Sequence, residues 1–168
     1  VHEPQRLVLI DWEGDPLCCG FGTWNLMSYP ICRDLQQQDR FFEGVLCRAA
    51  TTVNLSTGGE HRPAAAEIVS GSYFPVLGVS ASLGRVLGSD DDGTPGTNPV
   101  VVLSYDFWKT QFASAPDVIG RKLLVNQNPM TVIGVAAPGA MAFTVMPWRP
   151  SSFAADLVMP AMAALAAL

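Results

Sequence analysis

The chain has 168 residues, 49% of them hydrophobic and only 15% charged, which is the composition of a folded globular domain and excludes a disordered one. Its net charge is −5 and its ten Lys and Arg residues are scattered. A nucleic-acid binder needs a basic face, so that class of partner is excluded.

In chain order, residues 6–12 (RLVLIDW) read as a short strand, more apolar than alternating, and therefore covered on both faces. Glu13-Gly14-Asp15-Pro16 ends it with turn residues. A glycine-rich loop carrying Cys18 and Cys19 follows. Ser28 reads as an N-cap with Pro30 in the first helical turn, and the helix runs to about Arg40. Ile31, Leu35 and Cys32 make its apolar stripe, and Arg33, Asp34, Gln36, Gln37 and Asp39 face water. Residues 41–44 (FFEG) anchor the helix end in the core.

Residues 45–56 form a strand with β-branched Thr51, Thr52 and Val53. Gly58-Gly59 sits in the following hairpin turn, where positive φ is needed. Residues 62–70 return as its partner, with Pro63 marking an edge. Residues 67–85 (EIVSGSYFPVLGVSASLGR) are then a strand–turn–helix joint. Ser72 is read as its N-cap, and Gly78 as the glycine past the helix end.

Asp90-Asp91-Asp92 raises the question of calcium. The EF-hand template fails, because counting from Gly88 the twelfth position is Pro99, not glutamate. The acidic run reads better as a capping turn. Residues 100–103 (VVVL) are a buried strand, and Ser104 caps a helix whose Tyr105, Trp108 and Phe112 share one core face. Residues 122–125 and 130–135 are two strands joined by Asn126-Gln127-Asn128-Pro129. Residues 137–152 read as a proline-rich loop in which Phe143, Met146 and Trp148 are apolar, and residues 156–159 as a last short strand.

Chemistry is sparse. There is no G-x-x-x-x-G-K, no G-x-S-x-G, no G-x-G-x-x-G and no H-E-x-x-H. His61 beside Glu60 reads as surface, since neighbours on a strand point to opposite faces. Glu13 with Asp15, or Glu60 with Glu67, would act as acid and base only if the fold joined them. No catalytic, cofactor-binding or metal-ligating residue is assigned, and no cofactor is expected. The four cysteines, Cys18, Cys19, Cys32 and Cys47, make no zinc spacing. They read as buried or free thiols, with a bridge from Cys18 or Cys19 to Cys32 as the alternative in an oxidising compartment.

The elements imply an α+β fold, with short helices on a mixed, partly antiparallel sheet. Two further features set expectations. No apolar run of about 18 residues is present to span a bilayer. The N-terminus has neither an initiator Met nor a signal-peptide plan, so the segment is expected to lie within a longer gene product.

The order VSGSYFPVLGVSASLGRVL, SDDD, PVVVLSYDFWKTQF and DVIGRKLLVNQNPMTVIGVAAPG, preceded by NLMSYPICRDLQQQDRFFEGV and NLSTGGEHRPAAAEIVSGSYF, resembles the periplasmic core domain of MacB-like and FtsX-like ABC transporter permeases. Within that group it is most similar to the orphan permeases that lack a fused ATPase. The resemblance covers about Leu7 to Pro160. It implies a two-lobed core domain over residues 1–160 that continues with a further βα unit; residues 161–168 read instead as an Ala-rich tail, so the domain is expected to be C-terminally truncated or diverged. It implies Asn-Gly where this chain has Asn126-Gln127, so a different turn is expected there.

Functionally, the resemblance implies a non-catalytic domain on the extracytoplasmic side of the bacterial inner membrane, relaying ATP-driven motion during export. The implied partners are the permease's own transmembrane helices, a separate cytoplasmic ATPase subunit and a periplasmic adaptor. Phe143, Met146 and Trp148 are the candidate partner contacts. Two competitors stand beside this reading. One is a stand-alone secreted or periplasmic binding module. The other is a small hydrolase using Asp90, Asp92 and Glu67.

Overall fold

The structure, a computed structural model, describes residues 4–10, 29–38, 40–57, 60–92, 99–140, 144–147 and 161–166. Nine strands and three α-helices follow in chain order: β1 (Leu7–Ile10), α1 (Tyr29–Gln36), β2 (Phe42–Thr57), β3 (Glu60–Val69), α2 (Tyr73–Leu77), β4 (Ala81–Gly84), β5 (Val100–Leu103), α3 (Tyr105–Gln111), β6 (Lys122–Val125), β7 (Asn128–Ala136), β8 (Thr144–Pro147) and β9 (Ala161–Ala166). The strands make one mixed sheet in the order β1-β9-β2-β3-β8-β5-β7-β4, with β6 bridging β2 and β7. The α+β expectation holds.

Long β2 organises the sheet. Its C-terminal half pairs antiparallel with β3, from Arg48↔Val69 to Thr57↔Glu60, and its N-terminal half pairs with β9. At Leu55 and Ser56 it also meets β6. The pairings β2-β3, β3-β8, β8-β5, β5-β7, β7-β6 and β6-β2 therefore return to their starting strand and close a circuit. Inside it lies the first core cluster, with Val53, Leu55, Val101, Leu103, Leu123, Val125, Met130 and Val132 buried and the α3 aromatics packed over them. A second cluster, around Phe74, joins α2 to β2, β3, β5 and β7.

Several local expectations are corrected. The stretch 137–152 is not all loop, because β8 runs parallel to β3 and meets β5 at Val102↔Val145. Residues 161–166, expected as an Ala-rich tail, form β9 and sit between β1 and β2. Alanine is a poor guide to strands, and here the two neighbouring ladders override its propensity. β4 was not expected either. It has only four residues and joins the sheet by pairing with β7. The strand expected at residues 156–159 lies outside the described residues.

β1 is not covered on both faces: Val8 is 42% and Leu9 63% exposed. It is an outer strand of the sheet, paired with β9. Phe41 does not anchor the core but is 66% exposed. Phe42 opens β2 instead and packs beside Cys32 and Val45.

The β6–β7 turn reverses another expectation. Asn126 (φ 47°) and Gln127 (φ 68°) both lie in the left-handed region, so the turn has the backbone that Asn-Gly would adopt. Gln127 tolerates this conformation because the ladder on either side, Val125↔Asn128 onward, fixes the register. A side chain in the left-handed region costs about 1 kcal/mol. Gln127→Gly is therefore expected to raise stability by about 0.5–1 kcal/mol, read as a higher urea midpoint at unchanged slope.

Candidate functional site

Among the described residues, a well-connected polar cluster lies where β2 and β3 part and α2 begins. The β2–β3 ladder ends at Arg48↔Val69. Beyond it, the Cys47 carbonyl still accepts from Ser70 N–H (2.9 Å), and side chains match the Cys47 N–H and the Val45 carbonyl. Cys47 N–H donates to Ser70 Oγ (3.0 Å), and Ser72 Oγ donates to the Val45 carbonyl (2.7 Å). The two hydroxyls are 2.8 Å apart. Since the Ser72 proton is used on Val45, Ser70 donates to Ser72. Gln36 Nε2 adds donors to the Val45 carbonyl (3.2 Å) and to Ser72 Oγ (3.0 Å).

Two expectations are corrected by this chain of bonds. Ser72 makes no capping bond to α2, having αR backbone angles, and its hydroxyl serves β2 instead. Gln36 does not face water but reaches across to the joint. Gly78 does end α2, with φ 62° and its N–H bonded back to Pro75 O.

Glu67 is the buried charge of this region, at 3% exposure. Its Oε1 accepts from Arg48 Nη1 (2.8 Å) and its Oε2 from the Tyr73 hydroxyl (3.2 Å). Burial, then the Glu67 carboxylate, pushes the Tyr73 hydroxyl up to about 12. Tyr73 therefore stays protonated across the physiological range and remains a donor to Glu67. That contribution to stability is present below pH 10, the unfolded value, and is lost as pH rises through about 12.

The acidic run folds as a 3-10 turn, Ser89–Asp92, in which buried Asp91 and half-buried Asp92 each have a structural task. Asp91 accepts from both terminal nitrogens of Arg85 (2.6 and 2.8 Å) and from Gly88 N–H (2.9 Å). Asp92 Oδ2 accepts from Gly71 N–H (2.6 Å), tying the turn to the joint. The Arg85 hydrogen bonds hold the Asp91 carboxyl below the usual carboxylate value against the opposing effect of burial, and the Gly88 N–H helps.

A lowered carboxyl pKa adds stability above the unfolded value, near 4, and that stability is lost as pH falls through the folded value. Arg85 is 57% exposed, so the pair is screened and contributes only about 1 kcal/mol. The stability gap between wild type and Asp91→Asn is expected to shrink by about that amount between pH 5 and pH 2.5. Urea titrations at both pH values measure it.

This arrangement lacks a nucleophile–base pair. Ser70 and Ser72 are engaged with backbone and with each other. His61 is exposed, opposite Ser56 in the β2–β3 ladder. Glu60 and Glu67 stand seven positions apart along the extended strand β3, about 23 Å, and are not brought together. Glu13 and Asp15 lie outside the described residues. No group of three His, Cys, Asp or Glu side chains is placed to hold a metal among the described residues. Of the three candidate contact residues, Met146 falls in β8 opposite Ile68 of β3, while Phe143 and Trp148 lie outside the described residues.

A disulfide, which the cysteine spacing did not reveal, completes the region. Cys32 of α1 is bonded to Cys47 of β2, with a Cα–Cα distance of 6.4 Å, and both residues are fully buried. The bridge considered from the sequence, to Cys18 or Cys19, is therefore not the one formed by Cys32. Glu67 did leave a signal: it is the lone charge among the small and apolar residues Ala64, Ala65, Ala66, Ile68 and Val69.

This fold recurs in known proteins. Over 96% of the chain it matches the periplasmic region of MacB from Actinobacillus actinomycetemcomitans, at 20% identity and a TM-score of 0.74, covering 74% of that chain. The extracellular domain of the noncanonic ABC-type transporter YknZ from Gram-positive bacteria matches 96% of the chain at 14% identity and a TM-score of 0.71, with 82% of that domain covered. No curated protein matches the sequence. The family model of the MacB-like periplasmic core domain matches residues 4–167, and the chain therefore belongs to that family.

Proposed function

We propose that this domain serves an ABC transporter permease outside the cytoplasm, without catalysis of its own, and passes motion from the transmembrane helices to an exported substrate or a periplasmic partner. The observation that carries the reading is the match of residues 4–167 to the family model of the MacB-like periplasmic core domain. The Cys32–Cys47 disulfide supports an oxidising compartment. The closed strand circuit supports transmission of force, because a close-packed sheet moves as a body rather than yielding locally. The partners in this proposal are the transmembrane helices, a separate cytoplasmic ATPase and a periplasmic adaptor, with the segment holding Phe143, Met146 and Trp148 as the partner contact.

Location and motion are tested separately. Ser82, exposed on β4, is changed to Cys in the full-length protein and treated with a membrane-impermeant maleimide on intact spheroplasts. Labelling above the unsubstituted background is expected, and labelling only after lysis would reject the location. Labelled protein that washes free of the membrane would favour the stand-alone binding module. For motion, a spin label at the same position is paired with one at the outer end of a transmembrane helix. The distance distribution should differ between ATP-bound and ADP-bound states, and identical distributions would sink the relay.

A further inference from the structure

We propose that formation of the Cys32–Cys47 disulfide is the step that docks α1 on β2, making α1 a redox-controlled element on a sheet that folds without it. The geometry divides the molecule in this way. The two larger core clusters draw no residue from α1. Helix α1 enters only the smallest cluster, through Cys32 and half-buried Leu35, beside Val45, Cys47, Ala49, Ile10, Phe42 and Ile68. Its Pro30, Ile31, Arg33 and Asp34 are exposed. Eight residues are too few for a helix to persist in water unaided. Apart from the disulfide, the described hydrogen bonds that hold α1 across to β2 and the joint both come from Gln36.

The chemistry is thiol–disulfide exchange with a disulfide R–S–S–R of the surrounding compartment. The thiolate of one cysteine attacks a sulfur of R–S–S–R and expels one thiolate. The second cysteine then attacks the mixed disulfide and expels the other. Cys32 and Cys47 together lose two electrons and two protons, and R–S–S–R leaves as two R–SH. The bridge spans 15 positions. Loop entropy for a closure of that size favours the docked state by about a hundredfold. Once docked, Cys32 and Cys47 are both fully buried, so the bond resists reduction until α1 opens.

Hydrogen exchange on the full-length protein in detergent tests this. In Cys32→Ala/Cys47→Ala, amides of residues 29–36 are expected to exchange about a hundredfold faster, while those of β5 and β7 keep wild-type protection. Wild type treated with a phosphine reductant under native conditions, with both thiols shown by alkylation and mass spectrometry, should give the same pattern. Oxidised Gln36→Ala should retain most of its α1 protection. The proposal is overturned by any of three results: wild-type protection of α1 without the bond, loss of protection across β5 and β7 together with α1, or release of α1 in oxidised Gln36→Ala to the same extent.

Discussion

Replacing Gly134 by alanine is expected to lower stability by at least about 3 kcal/mol, the top of the usual range for overpacking. A Cβ built there would lie 1.9 Å from the Arg85 carbonyl oxygen and 2.7 Å from its carbon. Both are backbone atoms and cannot rotate away. The crowding has a topological cause. Gly134 lies near the C-terminal end of β7, where that strand runs between β4 and β5. The β5–β7 register slips there, from Val101↔Val132 to Val102↔Gly134, so Ile133 is the extra residue of a bulge. The chain leaving β4 presses on that bulge, with Arg85 N–H donating to the Ile133 carbonyl at 3.0 Å. Chemical unfolding of the purified protein measures the loss. Gly88→Ala is the control: a Cβ there meets nothing within 4 Å, so it should change stability by no more than about 0.5 kcal/mol. Equal losses for the two variants would mean that β4 does not cross β7 as described.

Phe74→Ala is expected to cost about 3–5 kcal/mol, or a fall of roughly 10 °C in Tm for a domain of this size. Phe74 is fully buried in the second core cluster and meets the Tyr73 ring edge-to-face, with centroids 5.2 Å apart. Its cavity would open among residues of β2, β3, β5 and β7, strands held in register by their ladders, so little collapse can fill it. The comparison variant is Phe41→Ala. Phe41 precedes β2 and is 66% exposed, so its loss should stay within about 0.5 kcal/mol. Calorimetry on both variants decides whether the joint or the FFEG stretch anchors this half of the domain. A Phe41→Ala loss as large as that of Phe74→Ala would restore the stretch to the core.

The two phenylalanines show what local pattern can and cannot resolve. Phe74 stands among Tyr73, Pro75, Val76 and Leu77, whereas Phe41 follows a polar run and has Phe42 as its apolar neighbour, a pair whose inward member the local pattern does not identify. Phe74 is inside because α2 follows β3 after a three-residue turn and must fall back onto the sheet. Phe41 is outside because β2 begins at the next residue, and strand alternation then directs Phe42 toward Cys32. The same holds for the polar residues of the joint. Ser70, Ser72 and Gln36 read as turn, cap and solvated face, yet they meet because the ladder stops at Arg48↔Val69 and leaves backbone groups of β2 to be matched.

By itself the sequence determined the α+β class, the β2–β3 hairpin, the buried VVVL strand, the Ser104 cap (which accepts from Phe107 N–H) and the Gly78 helix stop. Each depends on propensity, periodicity or one residue's backbone freedom, all of which act over a few neighbours. Its order of motifs also indicated the family that the match over residues 4–167 establishes. Only the tertiary structure decided that the Ala-rich end is a strand, that Thr144–Pro147 lies between β3 and β5, that Cys32 bonds Cys47, and that Glu67 meets Arg48 and Tyr73. Apart from Glu67 and Tyr73, which are six positions apart, those pairings join residues well separated in the chain. Their free energy comes from closing the sheet and burying what lies between its strands, which no short stretch of sequence contains.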